Sequence, residues 1–419
     1  MFRSSAETQY YSNGKYSKPN SFKNQRHSFL YHKKVSSMKK LLTILLLTSI
    51  IFISCQKEIK NSDSPPDSAL VNRNEAAKPE AAVKVFATGL NNPRELKFGP
   101  DGYLYVAEGG IGGNTSTVGI CEQAAGLPTG PGPYKGSLTG GRISKIDPHG
   151  VVTTVTDQFP SSQTSDEFGD LVSGVADVEF VGNDLYALLA GAGCSHGVAG
   201  IPNGIAKVNK DGSWTMIADL SSWQQAHPVA HPEEDDFEPD GTWYSMINVR
   251  GNLYAVEPNH GEMVKVTTTG DISRVIDISA SQGHIVPTVV AYHGNFYVSN
   301  LNTFPIAGGA SSIYKITPDG SIKMVATGFN TVLGLVIDQQ SRMYVLENTA
   351  GPSFPTFPTP GFGRVIRVDP SGSRTTIATG LNLPTGMTMG PDGKLYVSNW
   401  GFGPPPIGLG EILQIDVKD

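Results

Sequence analysis

A three-residue pattern, an apolar residue followed by tyrosine and a second apolar residue, occurs six times after residue 83. Turns rich in Gly, Asn and Asp precede the copies, and Gly99 to Gly102 and Gly390 to Gly393 are the clearest. Pro and Asp suit the central positions of such turns, and Gly supplies the positive φ that closes them. Each copy is therefore predicted to be a meander of four short antiparallel strands. The six tyrosines are Tyr105, Tyr186, Tyr254, Tyr297, Tyr344 and Tyr396.

Six such sheets must stack, because one four-stranded meander cannot bury both of its faces. A ring of six four-stranded sheets is an all-β, six-bladed β-propeller, predicted here for residues 83–419. An open solenoid is the structural alternative. Closure is favoured because the last copy ends at its third strand, residues 411–417, while residues 84–90 resemble the fourth strands of other copies. The N-terminal strand is therefore predicted to close the last blade.

Loop length separates the two faces of this predicted ring. Hairpins between first and second strands, and between third and fourth, are short and contain Gly. Longer insertions fall between second and third strands or between blades, and all of these connections share one face, here called the long-loop face. Long loops on a rigid scaffold commonly carry binding sites, so the site is predicted there. The insertions span about residues 109–140, 157–173, 191–203, 221–240, 301–310, 349–362 and 401–410.

Polar residues cluster at two predicted places near that face. The column of equivalent positions on the innermost strands, expected to face the axial channel, is Glu95, Asp177, Ser245, Thr288, Gly334 and Gly386. The second strands end on acids, amides, His260 and Trp400. From both places, the residues predicted to bind a ligand are Glu95, Glu108, Asp177, Asn259, His260, Asn399 and Trp400.

A cation site is a second interpretation of the same carboxylates. Oxygen ligands suit Ca²⁺, and two carboxylates in one channel could equally form an acid/base pair. A structural role, in which these groups bond water and loop backbone, is the third interpretation. No nucleophile, phosphate-binding or zinc-hydrolase motif occurs, so catalytic residues stay unknown. The candidate metal ligands are Glu95, Asp177, Glu257, Asn300 and Glu347.

The N-terminal region has the parts of an export signal. Residues 38–54 combine a basic start with a short apolar core, and Phe52 to Cys55 resembles a bacterial lipobox, in which Cys55 takes the lipid. Residues 1–37 are predicted to be a disordered upstream extension, with either Met1 or Met38 as the true start. Residues 55–82 are predicted to be a flexible tether. The chain is thus expected to be an outer-membrane lipoprotein facing the periplasm or the medium.

Cysteine usage and charge agree with export. The chain has three cysteines, and after lipidation of Cys55 two remain, Cys121 and Cys194, either as a disulfide or as buried thiols. Nine of the 32 Lys and Arg but one of the 38 Asp and Glu lie in residues 1–54, so the net charge of −6 becomes −14 beyond that segment. An acidic body of this kind repels nucleic acid. A monomer without a nucleic-acid partner is expected.

Several segments resemble the ScyD/ScyE family of exported propellers, whose blade motifs are shared with NHL-type propellers. They are Ala87 to Arg94, Gly99 to Glu108, Gly140 to Ile143 and Ala192 to Gly197, whereas Phe237 to Ser245 departs from the family. The resemblance implies no catalytic residues. The loop asymmetry favours a lipid-anchored binding or scaffold module that takes a glycan, small molecule or envelope protein on the long-loop face. The alternative is a divalent-cation-dependent hydrolase of the gluconolactonase or strictosidine-synthase type, whose blade pattern is similar.

Overall fold

A computed structural model describes residues 82–124, 132–164, 171–233, 236–303, 306–350, 359–401 and 408–417. The predicted extension, signal peptide and lipidation site Cys55, and all of the predicted tether but its last residue, lie outside these ranges. Within the ranges, the helices are too short to cross a membrane. The described chain is almost entirely β-strand.

Six antiparallel sheets account for the strands, so the predicted six-bladed β-propeller is confirmed. Blade 1 holds β2 (Pro93–Phe98), β3 (Leu104–Glu108), β4 (Lys135–Ile146), β5 (Val152–Gln163) and the short β6 (Val172–Ser173). Blade 2 holds β7 (Val175–Val181), β8 (Asp184–Leu189), β9 (Gly204–Val208) and β10 (Trp214–Asp219), and blade 3 holds β11 (Ser245–Val249), β12 (Asn252–Glu257), β13 (Glu262–Thr267) and β14 (Ile272–Asp277).

The other three blades follow the same order. Blade 4 holds β15 (Pro287–Tyr292), β16 (Phe296–Asn300), β17 (Ser311–Ile316) and β18 (Ile322–Phe329), and blade 5 holds β19 (Val332–Ile337), β20 (Met343–Glu347), β21 (Gly363–Val368) and β22 (Arg374–Leu381). Blade 6 holds β23 (Gly386–Met389), β24 (Leu395–Asn399), β25 (Gly410–Ile415) and β1 (Val83–Leu90).

The ring is closed by the two ends of the chain. The N-terminal strand β1 pairs with β25, with Val83 opposite Ile415 and Leu90 opposite Gly410. Each innermost strand contacts the innermost strands of both neighbouring blades, and β23 of the last blade contacts β2 of the first. The open solenoid is therefore excluded, and the predicted closing strand is confirmed.

The core lies between the blades, which explains the repeated apolar-Tyr-apolar pattern. Side chains of a strand alternate between its two faces. In β12, Leu253 and Ala255 therefore pack in the cluster shared with blade 2, while Tyr254 lies against the cluster shared with blade 4. Six apolar clusters fill the six junctions in this way, including the junction between blades 6 and 1.

The tight turns also fix the repeated tyrosines. In the first turn Gly102 has a φ of 81° and donates its N–H to Gly99 O over 3.0 Å. The Asp101 carboxylate accepts the hydroxyl of Tyr105 over 2.8 Å. Asp392 does the same for Tyr396 over 3.1 Å. Turn and repeat residues are thus parts of one local hydrogen-bonded unit.

The predicted loop boundaries were wrong in blades 1 and 2. Residues 135–140 and 157–163, predicted as loop, extend β4 and β5 into a long hairpin in which Lys135 pairs with Gln163. Its three register shifts accommodate Gly140 and Gly141, which hid the strand pattern. The predicted loop 221–240 contains most of helix α1 (Leu220–Ala226), whose N-cap Asp219 accepts Ser222 N–H over 2.8 Å. A second short helix, α2 (Ser279–Gln282), precedes blade 4.

Candidate functional site

Four of the second strands end on a buried acid or amide. Each of these side chains accepts a backbone N–H from the segment just before the innermost strand of its blade. Glu108 accepts Asn91 N–H over 2.6 Å, and Glu347 accepts Asn330 N–H over 2.9 Å. Two further blades repeat the contact, with Glu257 accepting Thr242 N–H over 2.8 Å and Asn399 accepting Asn382 N–H over 2.7 Å. These residues were predicted as ligand or metal groups, and the structure places them in structural bonds.

The remaining oxygens of these groups also have protein partners. Arg142 donates to Glu108, and Arg364 donates its Nε–H to Glu347 over 2.5 Å. Asn300 accepts Ser312 N–H over 2.7 Å and donates to Ile285 O over 2.9 Å. Across the described ranges, no group of three or more His, Cys, Asp or Glu is arranged to hold a metal ion. The structure therefore does not bring the five candidate metal ligands together.

Asn259, His260 and Trp400 lie in other local contacts. Asn259 Oδ1 accepts Glu238 N–H over 2.8 Å, and Trp400 donates its backbone N–H to Asn382 O over 2.7 Å. Burial alone would lower the pKa of His260, but the hydrogen bond and charge of Glu257 raise it to about 9. A protonated His260 beside ionised Glu257 makes this a local ion pair.

The innermost column lies at the axis, but several of its side chains point at the next blade. Asp177 accepts Met246 N–H of blade 3 over 2.6 Å, and Thr288 donates its hydroxyl to Val332 O of blade 5 over 2.7 Å. A Cβ on Gly386 would lie 2.4 Å from Arg94 O, so only glycine fits there. Asp177, Thr288 and Gly386 of the column thus contact the neighbouring blade, because the inner strands approach one another closely.

Four innermost strands have register shifts near their starts, and such shifts change the direction of the local side chains. They occur in β2, β7, β15 and β19. In β2 the shift places Arg94 and Glu95 together opposite one residue of β3. Such bulges redirect side chains and are common beside functional sites.

Glu95 and Asp177 form a buried carboxyl pair from adjacent blades, and they are 6% and 5% exposed. Burial raises the pKa of Glu95 well above its usual range, and the nearby Asp177 raises it further. Burial likewise raises the pKa of Asp177 to about 8. Met387 N–H bonds Glu95, but Glu95 Oε1 has no hydrogen-bond partner in the described part of the chain.

Arg94 and Tyr244 directly precede Glu95 and Ser245 of the innermost column. Both lie beside the carboxyl pair. The Tyr244 hydroxyl donates to Thr385 O over 2.8 Å, from blade 3 to the opposite blade 6, so the side chain crosses the axis. Burial shifts the pKa values of both groups, downward for Arg94 and upward for Tyr244, yet both side chains stay half-buried. Arg94 and Tyr244 thus keep some accessible surface beside the two buried acids. We call Arg94, Glu95, Asp177 and Tyr244 the axial recess.

A second buried polar cluster adjoins the recess. Tyr134 donates its hydroxyl to Glu238 Oε1 over 2.9 Å, and Glu238 Oε2 lies 3.3 Å from His196 Nε2. Burial lowers the pKa of His196 to about 4 and raises that of Glu238 to about 8. Both groups are therefore neutral at pH 7, and the contact is not an ion pair. The Arg94 charge acts on Tyr134, which connects this cluster to the recess.

A disulfide holds the loop that carries His196. Cys121 and Cys194 are bonded, with an S–S distance of 2.07 Å. Cys194 begins a 3-10 turn ending at His196, and the Asp240 carboxylate accepts Ser195 N–H over 2.7 Å. The bond thus ties the long insertion of blade 1 to the second-to-third-strand loop of blade 2.

Sequence reasoning included two of the four recess residues and missed Arg94 and Tyr244. Each directly precedes a column residue, but an alignment of the innermost strands does not show in which direction either side chain points. The segment from Ala192 to Gly197 carries the family resemblance, but no role was predicted for His196 within it. Tyr134 and Glu238 were not predicted as site residues. Those two lie in irregular loops, where no periodicity indicates the direction of a side chain.

Comparisons with known proteins add little. No protein-family model matches the chain, and no curated protein matches it. A protein proposed to be an oxidoreductase (glucose dehydrogenase), from Thermus thermophilus, is 16% identical with a TM-score of 0.49, covering 80% of this chain and 100% of that one. An auxiliary nutrient binding protein from Bacteroides thetaiotaomicron is 11% identical with a TM-score of 0.48, covering 80% and 76%.

A protein proposed to be a gluconolactonase is also similar to this chain. It is 11% identical with a TM-score of 0.46, and the match covers 82% of this chain and 96% of that one. At this level of similarity the comparisons carry no argument about the activity of this chain. The fold assignment rests on the strand order described above.

Proposed function

We propose that this chain is a noncatalytic binding module of the bacterial envelope that takes a small polar ligand, such as a sugar, into the axial recess. The observation that carries the proposal is Glu95 Oε1, a buried carboxyl oxygen without a hydrogen-bond partner among the described residues. An unpaired buried polar atom costs about 1–3 kcal/mol. A ligand hydroxyl bound there would remove that cost.

The protonation state of the recess supports a hydroxyl-bearing ligand. Burial raises the pKa of Glu95 and raises that of Asp177 to about 8, which favours the protonated form of each group. A protonated carboxyl both donates and accepts hydrogen bonds, as a sugar hydroxyl does. Concave sites with a few convergent polar groups are the usual form of small-molecule sites.

The position of the recess supports the same proposal. Arg94 and Glu95 lie at the start of β2, where the chain enters the blade from the long-loop face. Arg94 donates to Gly401 O, at the start of the loop after β24, and to Val172 O of β6, in the connection between blades 1 and 2, and both lie on that face. The recess is therefore bordered by the loops that vary most in length between the blades.

The cation-dependent hydrolase has no comparable support. Glu257, Asn300 and Glu347, which would have to share a cation with the recess acids, are bonded to protein groups of their own blades. A calcium titration of the melting temperature tests this directly. We expect no shift at millimolar Ca²⁺, because no group of three or more acidic, His or Cys side chains converges in the described part of the chain.

The envelope location is part of the proposal and rests on the sequence alone. We propose lipidation at Cys55 and outer-membrane attachment, with the ScyD/ScyE family as the proposed relationship. Membrane fractionation of Cys55→Ser tests the anchor. Loss of the chain from the membrane fraction is expected, and its retention there would contradict lipidation at this residue.

A ligand panel tests the binding function. The purified full-length chain is screened by thermal shift against neutral and acidic sugars and other small polar metabolites, and each hit is measured by calorimetry. The double variant Glu95→Gln with Asp177→Asn should weaken binding at least about tenfold, the effect of losing one or two well-made hydrogen bonds. Asp184→Asn, which alters an exposed acid paired with Lys207 at a tight turn, is the matched control. Equal binding by all three chains would exclude the recess as the site.

A further inference from the structure

Within the described ranges, no carboxylate forms an ion pair with Arg94. Its two terminal nitrogens donate to the backbone oxygens of Gly401 and Val172. Among the residues that the structure describes, its guanidinium makes no ion pair, and its Nε–H has no acceptor. Two arginines of third strands differ, since Arg142 of β4 and Arg364 of β21 each bind a buried glutamate at the end of a second strand.

The acids nearest to Arg94 do not supply the missing charge. Burial raises the pKa of Glu95 and of Asp177 and so favours their neutral forms, and neither acid forms an ion pair with Arg94 in the described structure. The other charged pair of the innermost strands, Lys97 and Glu179, lies at 2.8 Å and balances itself. The recess therefore holds about one uncompensated positive charge, although the chain beyond its signal is strongly acidic.

An unpaired charge in a protein-rich site is costly unless a partner arrives. Two tyrosines, Tyr134 and Tyr244, interact with the Arg94 charge, but both hydroxyls donate elsewhere, to Glu238 and to Thr385 O. Neither phenol is ionised, because burial raises the pKa of each. The natural partner is thus a group that a ligand brings.

From these contacts we infer that the ligand of the axial recess is a hydroxylated monocarboxylate, a sugar acid, whose carboxylate binds Arg94 and whose hydroxyls bind Glu95 and Asp177. This inference rests on the proposed function. One charge favours a monoanion over a phosphate dianion, and the planar guanidinium matches a carboxylate. The carboxyl pair of Glu95 and Asp177 supplies the polar partners for the hydroxyls.

A matched sugar pair tests the inference on the unmodified full-length chain. Glucuronate and glucose share their ring hydroxyls and differ at C6, where a carboxylate replaces a hydroxymethyl group. Calorimetry at pH 6.5 should show glucuronate binding at least about tenfold more tightly, as expected for one charge-assisted contact. Inorganic phosphate, used as a competitor, should displace it weakly.

Two arginine variants locate the effect. Arg94→Gln should reduce the preference for glucuronate to about one, whereas Arg94→Lys, which keeps the charge, should retain part of it. Arg374→Gln is the control, because Arg374 also donates to two backbone oxygens but lies exposed on the outer strand β22. If Arg94→Gln does not fold, the Arg94→Lys affinities and the preference of the unmodified chain decide the question.

The outcomes separate the two proposals. Equal affinities for glucuronate and glucose, or an unchanged preference in a folded Arg94→Gln variant, overturn the anionic ligand and leave the binding module intact. Absence of binding by both sugars, with another hit from the panel that depends on Glu95 and Asp177, also overturns only the sugar acid. Absence of any hit in either experiment overturns both.

Discussion

Protonated carboxyls are the central feature at the residue scale. Asp177 faces Glu95 and Lys97 from β2, Glu179 of its own strand, and Tyr244. Burial outweighs the favourable Lys97 charge and the N–H of Met246, so the neutral form is preferred at pH 7. A neutral pair tolerates the close approach of two acids that would repel one another when ionised.

This preference predicts how stability depends on pH. The pKa of Asp177 rises from 3.8 to about 8 on folding, so the folded state binds more protons between these values. Its contribution to stability is therefore lost as pH rises from about 4 to 8. Asp177→Asn, which cannot ionise, should flatten this decline when urea unfolding is measured at several pH values. Parallel curves for the two chains would contradict a raised pKa.

The bond across the axis gives a second prediction at this scale. Tyr244→Phe removes the hydroxyl that bonds Thr385 O and leaves the ring in place. The free energy of unfolding should fall by about 1 kcal/mol, the usual value of such a bond. Tyr103→Phe, at a tight turn, is the control and should change it by less than about 0.5 kcal/mol. A Tyr244 effect no larger than that of the control would show that the bond is not made.

At the scale of elements, the ends of the second strands of blades 1, 3, 5 and 6 serve the fold. A carboxylate or amide there accepts an N–H from the preceding loop and so fixes the entry of the chain into the blade. The repetition in four blades explains why the acids recur in the sequence.

Glu347 provides the test of that structural role. Glu347→Gln removes the negative charge that holds Arg364 and weakens the bond to Asn330 N–H. Urea unfolding should show a loss of about 2 kcal/mol, typical of a bond to a charged group. Millimolar Ca²⁺ should leave both melting temperatures unchanged. A Ca²⁺-induced rise seen in the unmodified chain and absent from the variant would instead make Glu347 a metal ligand.

At the scale of the whole molecule, the ring depends on its first strand. β1 pairs with β25 and places Ala87 and Leu90 in the cluster between blades 6 and 1. A chain shortened to begin at Asn91 loses this strand and exposes the edge of β25. The loss should exceed about 3 kcal/mol, given the apolar burial and the ladder of hydrogen bonds removed. A chain beginning at Glu80 is the control, and equal urea midpoints for the two would contradict closure by β1.

The fold could be predicted because its signals repeat. Tyr105, Tyr254 and Tyr396 occur in the same local pattern, since every blade packs between two neighbouring blades of the same construction. The recess could be predicted only in part, through Glu95 and Asp177. Arg94 occurs once and its direction depends on a bulge in β2, which leaves no periodic trace in the sequence. Tyr134 and Glu238 come together through loops whose paths only tertiary contacts determine.

Hydrogen–deuterium exchange with and without the tightest ligand of the panel tests the central claim, that the axial recess is the binding site. We predict slower exchange on binding at the starts of the innermost strands, residues 93–96, 175–178 and 242–246. Exchange at the tight turns, such as residues 99–103 and 390–394, should stay unchanged. Protection confined to those turns or to the outer strands β14, β18 and β22 would contradict it.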